Sequence, residues 1–516
     1  MICDAHAHIH PENYDGGNEW KLIFAECRKN GVTHGVFSSV DTFVYYPSAG
    51  CVRNCNRLGK EFMDHARDKL NVIWLAYLNP QLDNWEEELN RCLQDGAKGI
   101  KLWISLKSPD GSLDRCRRVL AAAETRRLPV LFHTFNRTGG NRPGEISVAE
   151  CVRLAREFPA TSFIAGHAGG NWRHSLGLGR TTPNVYLDVC GTAPEKGMVE
   201  ALVADWGETR VLFGSDMPTR NLASQLAKVI FADVSEETMK KILWDNAANI
   251  FGLKGGAGIN HMDTNLRPMP GMPDGTVDHF CFSGHWPFFP TAGATPNELD
   301  AELAKYGVKQ AFCADLGSIY RQDLSAANAT FLAATCGCER IRPLATVNPN
   351  AENWEAVLEH VSSSFAGIIL HPYLQNWRLN DMAYDTFFRA CSEHSIPLWI
   401  NCVFAEYRFR HGGISPRPVT TEELLEFTAR APRNNYVFQG LSVNDAAAVL
   451  RFSAPVSEGR IQFVISRMSD LTGHLQRILV LHGKDSLVMG SEFPLRDLRT
   501  VRWSIGTGIH GAAAAE

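Results

Sequence analysis

Five side chains that can donate an electron pair to a metal are strung through the first half of this chain: His6, His8, His133, His167 and Asp216. Imidazole and carboxylate together suit zinc, and also manganese or iron. His6 and His8 stand two apart in Asp4-Ala5-His6-Ala7-His8. On a strand, residues at i and i+2 point to the same face, so both rings enter one space. His133 ends the run Leu128-Pro129-Val130-Leu131-Phe132, His167 ends Phe163-Ile164-Ala165-Gly166, and Asp216 follows Leu212-Phe213-Gly214-Ser215. A Zn²⁺ ion held by such a set lowers the pKa of its water to roughly 7.

The elements that must position these residues follow from alternating apolar runs and amphipathic stretches. Strands are expected near 2–9, 33–39, 71–78, 97–103, 129–135, 162–167, 184–190 and 210–215. Helical patterns lie between them, for example from Asn84 to Gln94 and from Ser147 to Phe158. Eight strand–helix units favour a closed parallel barrel, whose chemistry sits at the C-terminal strand ends. The five donors then converge on one mouth.

The second half repeats these landmarks without the histidines. Asp278-His279-Phe280-Cys281-Phe282 answers the first-strand motif. Phe163-Ile164-Ala165-Gly166-His167 aligns with Val437-Phe438-Gln439-Gly440-Leu441, and Gly214-Ser215-Asp216-Met217-Pro218 with Gly490-Ser491-Glu492-Phe493-Pro494. Phe280 and Phe282 replace His6 and His8, Asn401 replaces His133, Leu441 replaces His167, Ile369 replaces Lys101 and Glu492 replaces Asp216. Strands are expected near 277–283, 309–315, 340–347, 366–372, 397–403, 435–441, 461–467 and 486–491. The fold class is α/β: two tandem (β/α)₈ TIM barrels packed as a pseudo-dimer. The first spans 1–253, a Gly- and Pro-rich linker spans 254–275, and a degenerate copy without a metal site spans 276–510. That copy is read as a structural partner, or as a non-metal pocket using His371, Tyr373, Arg408 or Arg410.

The motifs together resemble the amidohydrolase superfamily, and most of all the amidohydrolase-related branch that includes aminocarboxymuconate-semialdehyde decarboxylase. The resemblance covers all motifs in residues 1–253 and scaffold motifs alone in 277–500. It implies one divalent ion, Zn²⁺ or else Mn²⁺ or Fe²⁺, held by His6, His8, His133 and Asp216. It implies that His167 acts as acid–base or polarises the substrate. Asp216 can take a proton from the metal's water. Lys101 is open to three roles: a carbamylated metal bridge, a cation for a substrate carboxylate, or a structural group. Many relatives have a histidine where Trp103 stands, so Trp103 marks a departure beside the substrate. Arg137 and Arg142, on the loop after the fifth strand, could clamp an anionic substrate, or lie in solvent. The expected activity is metal-dependent hydrolysis of a small amide, ester or lactone. The alternative is non-oxidative decarboxylation with the same metal.

Composition sets the outer bounds. The chain has 516 residues, 45% hydrophobic and 21% charged, with a net charge of −5. That length calls for more than one core, and that charge speaks against nucleic acid or an anionic membrane as partner. The N-terminus reads as lacking a signal peptide, and no run is long enough for a membrane span. The 14 cysteines are therefore expected to be reduced thiols in the cytoplasm. Neither Cys51 with Cys55 nor Cys336 with Cys338 has the second close pair that a zinc knuckle needs. The tail after Gly511 is expected to fray.

Overall fold

The computed structural model describes residues 1–13, 16–191, 193–254, 275–287, 295–351, 354–404, 418–453, 460–467, 478 and 480–501. Residues 255–274 of the expected linker, the tail, and Arg408 and Arg410 lie outside these residues. The chain forms two compact units. In the first, eight parallel strands run in sequence order: β1 (Cys3–Ile9), β2 (His34–Ser39), β3 (Asn71–Leu78), β4 (Gly99–Leu102), β5 (Val130–Phe132), β6 (Phe163–Ala165), β7 (Val185–Asp188) and β8 (Val211–Leu212). The second repeats the order with β9 (Val277–Ser283), β10 (Gln310–Asp315), β11 (Ile341–Thr346), β12 (Gly367–Leu370), β13 (Leu398–Asn401), β14 (Asn435–Gln439), β15 (Arg460–Val464) and β16 (Leu487–Val488). All sixteen expected strands are present.

Backbone bonds carry each sheet past its last strand and back to its first. The Ala5 amide donates to Phe213 and the Asp216 amide to His6, each at 2.8 Å. The His279 amide donates to Met489 at 2.8 Å and the Glu492 amide to Phe280 at 2.9 Å. Helices between the strands cover the outside. One of them, Val148–Glu157, starts at a capping box in which Ser147 and Glu150 satisfy each other's backbone amides, a device that favours a helix start.

Alternation along each strand sorts the apolar residues. In the first barrel Leu131, Ile164 and Leu212 fill the interior, while Phe132 and Phe163 face the helices. This inner plug stops below His6 and His8. In the second barrel the inner cluster runs on through Phe280, Phe282, Ile369, Trp399 and Val464.

The ladders correct one expected alignment. Leu131 pairs with Ile164, and Trp399 pairs with Val437. Ile164 and Val437 are both interior, so they are the true equivalents. Gln439 then answers Gly166, and Gly440, not Leu441, answers His167. The backbone agrees, for His167 and Gly440 both have positive φ, at 63° and 86°. A one-residue slip moves a strand's side chains to the opposite face, so the distinction decides what lines each mouth.

Candidate metal centre

The first-strand histidines are aimed by a backbone irregularity and a clamp. β1 carries one extra residue against β2 between Asp4 and Ala7, and such a bulge re-aims side chains. Asp4 accepts bonds from the His6 amide at 3.1 Å, the Ser215 amide at 2.9 Å and the Ser215 hydroxyl at 2.5 Å. The second barrel repeats both devices. β9 has the same extra residue against β10, and Asp278 accepts from the Phe280 amide at 3.1 Å, the Ser491 amide at 2.9 Å and the Ser491 hydroxyl at 2.5 Å. Burial pushes Asp4 up to about 7 and Asp278 up to about 6. The clamp thus belongs to the scaffold, and the histidines are what the first barrel adds.

Each of three histidines has one ring nitrogen fixed by an acceptor behind it. His6 Nδ1 donates to Asp188 Oδ2 at 2.8 Å. His8 Nδ1 faces the Ser38 carbonyl at 3.3 Å. His133 Nε2 donates to Glu145 Oε1 at 3.0 Å. These bonds place the protons outward and the lone pairs on His6 Nε2, His8 Nε2 and His133 Nδ1, as second-shell acceptors do for metal ligands. The lone pairs of His6 and His8 are then only 3.1 Å apart, and Asp216 Oδ1 lies 3.5 Å from His8 Nε2. Two lone pairs and a carboxylate facing one another favour positive charge, and the Lys101 amine already stands 2.8 Å from His6 Nε2. Ligand atoms of His6, His8 and Asp216 all lie within 4.8 Å of one another. Burial, then the Lys101 charge, push His8 well below the ordinary imidazole value, so it offers a lone pair rather than a proton. The residues present therefore fit a divalent ion.

His133 stands apart from that trio. Its Nδ1 faces His167 Nε2 at 3.0 Å, and its ring packs against Trp103 with centroids 4.5 Å apart. Burial alone would raise the Glu145 carboxyl, but bonds from His133 and Arg137 hold it well below the usual range. Arg137 grips Glu145 with Nε at 2.7 Å and Nη2 at 3.1 Å. Its guanidinium is committed to the protein rather than to solvent. Arg142 stacks on the Tyr45 ring at 4.5 Å. Lys101 is fully buried, with Nζ 2.8 Å from His6 Nε2, and burial brings its ammonium down to about 8.

Sequence reasoning missed Asp188, Cys190 and Glu145. Asp188 also accepts the His167 amide at 2.9 Å. The Cys190 thiol lies 3.2 Å from His6 Nδ1 and 3.1 Å from His167 Nδ1, and burial keeps it protonated. With His6 and His167 these two form a second ion-sized group. Asp188-x-Cys190 at a strand end has the same spacing as His6-x-His8, and that was the available signal. Gly191 is also dictated by the site: a Cβ there would come 2.4 Å from His167 Nδ1 and 3.1 Å from Asp216 Oδ2. Among the described residues, both groups able to surround an ion lie in the first barrel, and none of the helices is long and apolar enough to cross a membrane.

Comparison with known proteins adds a family match to this geometry. Residues 3–253 match the family model described as amidohydrolase. A γ-resorcylate decarboxylase from Polaromonas sp. (strain JS666 / ATCC BAA-500) is 30% identical over 121 residues, 19% of this chain and 37% of that relative. The aligned part thus spans little more than a third of the relative's length. Among solved structures, 2,6-dihydroxybenzoate decarboxylase from Rhizobium is 19% identical, covering 49% of this chain and 99% of that one, with a TM-score of 0.39. Dihydroxybenzoic acid decarboxylase from Polaromonas sp. JS666, solved with manganese and the inhibitor 2-nitroresorcinol, is 18% identical over 49% of this chain and 98% of that one, with a TM-score of 0.39.

Proposed function

Residues 3–253 belong to the amidohydrolase family, and on that premise we propose that the first barrel is a metal-dependent, non-oxidative decarboxylase of a small aromatic carboxylate. The observation that carries the metal is the set of three histidines whose outer nitrogens are fixed by Asp188, Ser38 and Glu145. The choice of decarboxylation over the hydrolysis expected from sequence is supported by the γ-resorcylate decarboxylase relative.

His6, His8 and Asp216 would hold the ion, with His133 Nδ1 as the fourth donor. A bound divalent ion would supply a Lewis acid for the substrate's oxygen atoms. Lys101, as a cation in a water-poor site, binds the carboxylate. As the carbon–carbon bond breaks, its electron pair stays on the ring and carbon dioxide leaves. The ring carbon then takes a proton, which we assign to His167 Nε2. That nitrogen bears hydrogen when the protonated Cys190 thiol, 3.1 Å from His167 Nδ1, donates to the other side of the ring. Glu145 orients His133, and Asp188 orients His6 while fixing the backbone of His167. Trp103 walls the His133 side, and Arg142 is a further cation for an anionic substrate.

Hydrolysis is the second reading, favoured by Asp216 beside His8, where a carboxylate can take a proton from water. The experiment is to load the protein with zinc or manganese and supply carboxyl-labelled dihydroxybenzoates. Labelled carbon dioxide is expected, and should vanish in a variant with Asn at both His6 and His8. No labelled gas, together with uptake of oxygen from labelled water into lactone, ester or amide products, would establish hydrolysis instead.

A further inference from the structure

The second barrel's mouth carries an unsatisfied polar row that its scaffold role does not explain. His371 follows β12, and Asn401 and Gln439 end β13 and β14. Trp399 and Val437 are interior, so by alternation Asn401 and Gln439 face the interior too. Asn401 and Gln439 are register partners, and Leu370 pairs with Ile400, so the three stand side by side on adjacent strands. All three are at most 1% exposed. Asn401 Nδ2 donates to His371 Nδ1 at 3.1 Å. That leaves His371 Nε2 as a donor and Asn401 Oδ1 as an acceptor, and neither has a partner. Both ends of the Gln439 amide are also without partners. Buried groups of this kind are normally satisfied, and each exception calls for an explanation.

The row has a definite chemistry. It alternates donor and acceptor twice, and it carries no charge. Burial pushes His371 down to about 3, so its ring is neutral at physiological pH. Ile369 stands where the first barrel has Lys101, and Glu492 is engaged by the Ser466 hydroxyl at 2.5 Å. The neighbouring surface is aromatic. Phe280 and Phe282 meet edge to face at 5.0 Å, and Phe404 lies 5.4 Å from Phe282 and 4.5 Å from Trp286. Such walls favour a flat ring.

We propose that the mouth of the second barrel binds a small, uncharged, planar heterocycle through an amide-type edge, of the lactam or imide class, with His371, Asn401 and Gln439 as its hydrogen-bonding row. The ring's carbonyl accepts from His371 Nε2 and its N–H donates to Asn401 Oδ1, while the Gln439 amide makes the same pair of bonds further along. An anion would find no cation in this row, and a hydrocarbon would leave its polar atoms unpaired.

The test uses the full chain, titrated calorimetrically with uracil and 2-pyridone, and in parallel with benzoate and phenol. Hydrogen exchange locates whatever binds. One site for uracil or 2-pyridone is expected, protecting the peptides of β12–β14. Benzoate and phenol should not protect them. Asn401→Leu and Gln439→Leu should each weaken binding at least about tenfold, the equivalent of one lost hydrogen bond of ~1.4 kcal/mol. Binding should persist with Asn at both His6 and His8, which separates this site from the first barrel's. Absence of binding by both heterocycles, protection confined to the first barrel, or undiminished binding in both leucine variants would overturn the proposal and leave the row to buried water. If a leucine variant does not fold, the exchange map of the unaltered chain decides the matter.

Discussion

Acid should loosen the second barrel through one histidine, by an amount the structure fixes. An ordinary imidazole takes its proton near 6.5, and burial pushes His371 down to about 3. Between those values the unfolded chain binds a proton at this position that the folded chain refuses. Stability therefore falls as pH drops from 6.5 toward 3, and is unaffected by this group above 6.5. Each decade is worth 1.36 kcal/mol, so the loss at pH 4 is about 3 kcal/mol. That is a large share of a domain's usual ~5–15 kcal/mol. The perturbation is His371→Gln, which keeps a polar side chain and removes the titration. The assay is hydrogen exchange of the β12 and β13 peptides from pH 7 to pH 4, corrected for intrinsic rates. The opening free energy of the unaltered protein should fall more steeply than that of the variant, the gap widening by about 1.4 kcal/mol per pH unit below 6.5. His279, pushed down to about 4, contributes to both curves and cancels. Parallel curves would show that His371 is protonated in the folded barrel and that its burial has been misjudged.

The first barrel supports three further expectations. Asn at both His6 and His8 should release most of the divalent ion, read by elemental analysis. His167→Asn should keep the ion and lose on the order of 10²–10⁴ in rate, as removal of a general acid does. Glu145→Gln should weaken the ion's binding about 10–100-fold, read by chelator competition, because His133 loses its orienting carboxylate.

The sequence displayed the strands because parallel barrel strands are buried on both faces and read as short apolar runs. It displayed the donors that close a run, such as His133 after Phe132. It hid Glu145, which reaches His133 only because the intervening loop folds back, and no spacing rule anticipates that return. Asp188 was overlooked because one carboxylate inside Tyr186-Leu187-Asp188-Val189 looks like an ordinary strand terminus. The β14 alignment slipped because Gly166-His167 and Gly440-Leu441 look alike as letters. Facing is decided by which residue pairs with Trp399, and that is a property of three dimensions. Arg137 was open to clamping an anionic substrate or lying in solvent, and the carboxylate it grips is on its own loop.

The matching bulge and aspartate–serine clamp have one more consequence. In each barrel the backbone assigns an address at the mouth, and the address is indifferent to its tenant. Imidazoles occupy it at His6 and His8, and phenyl rings occupy it at Phe280 and Phe282, with equal clamp distances beneath both. Chemistry here is therefore transplantable. Histidine at 280, 282, 401 and 440, with aspartate at 464 and the resident Glu492, would set the first barrel's donor types at the matching strand ends of the second, with the strand geometry already laid.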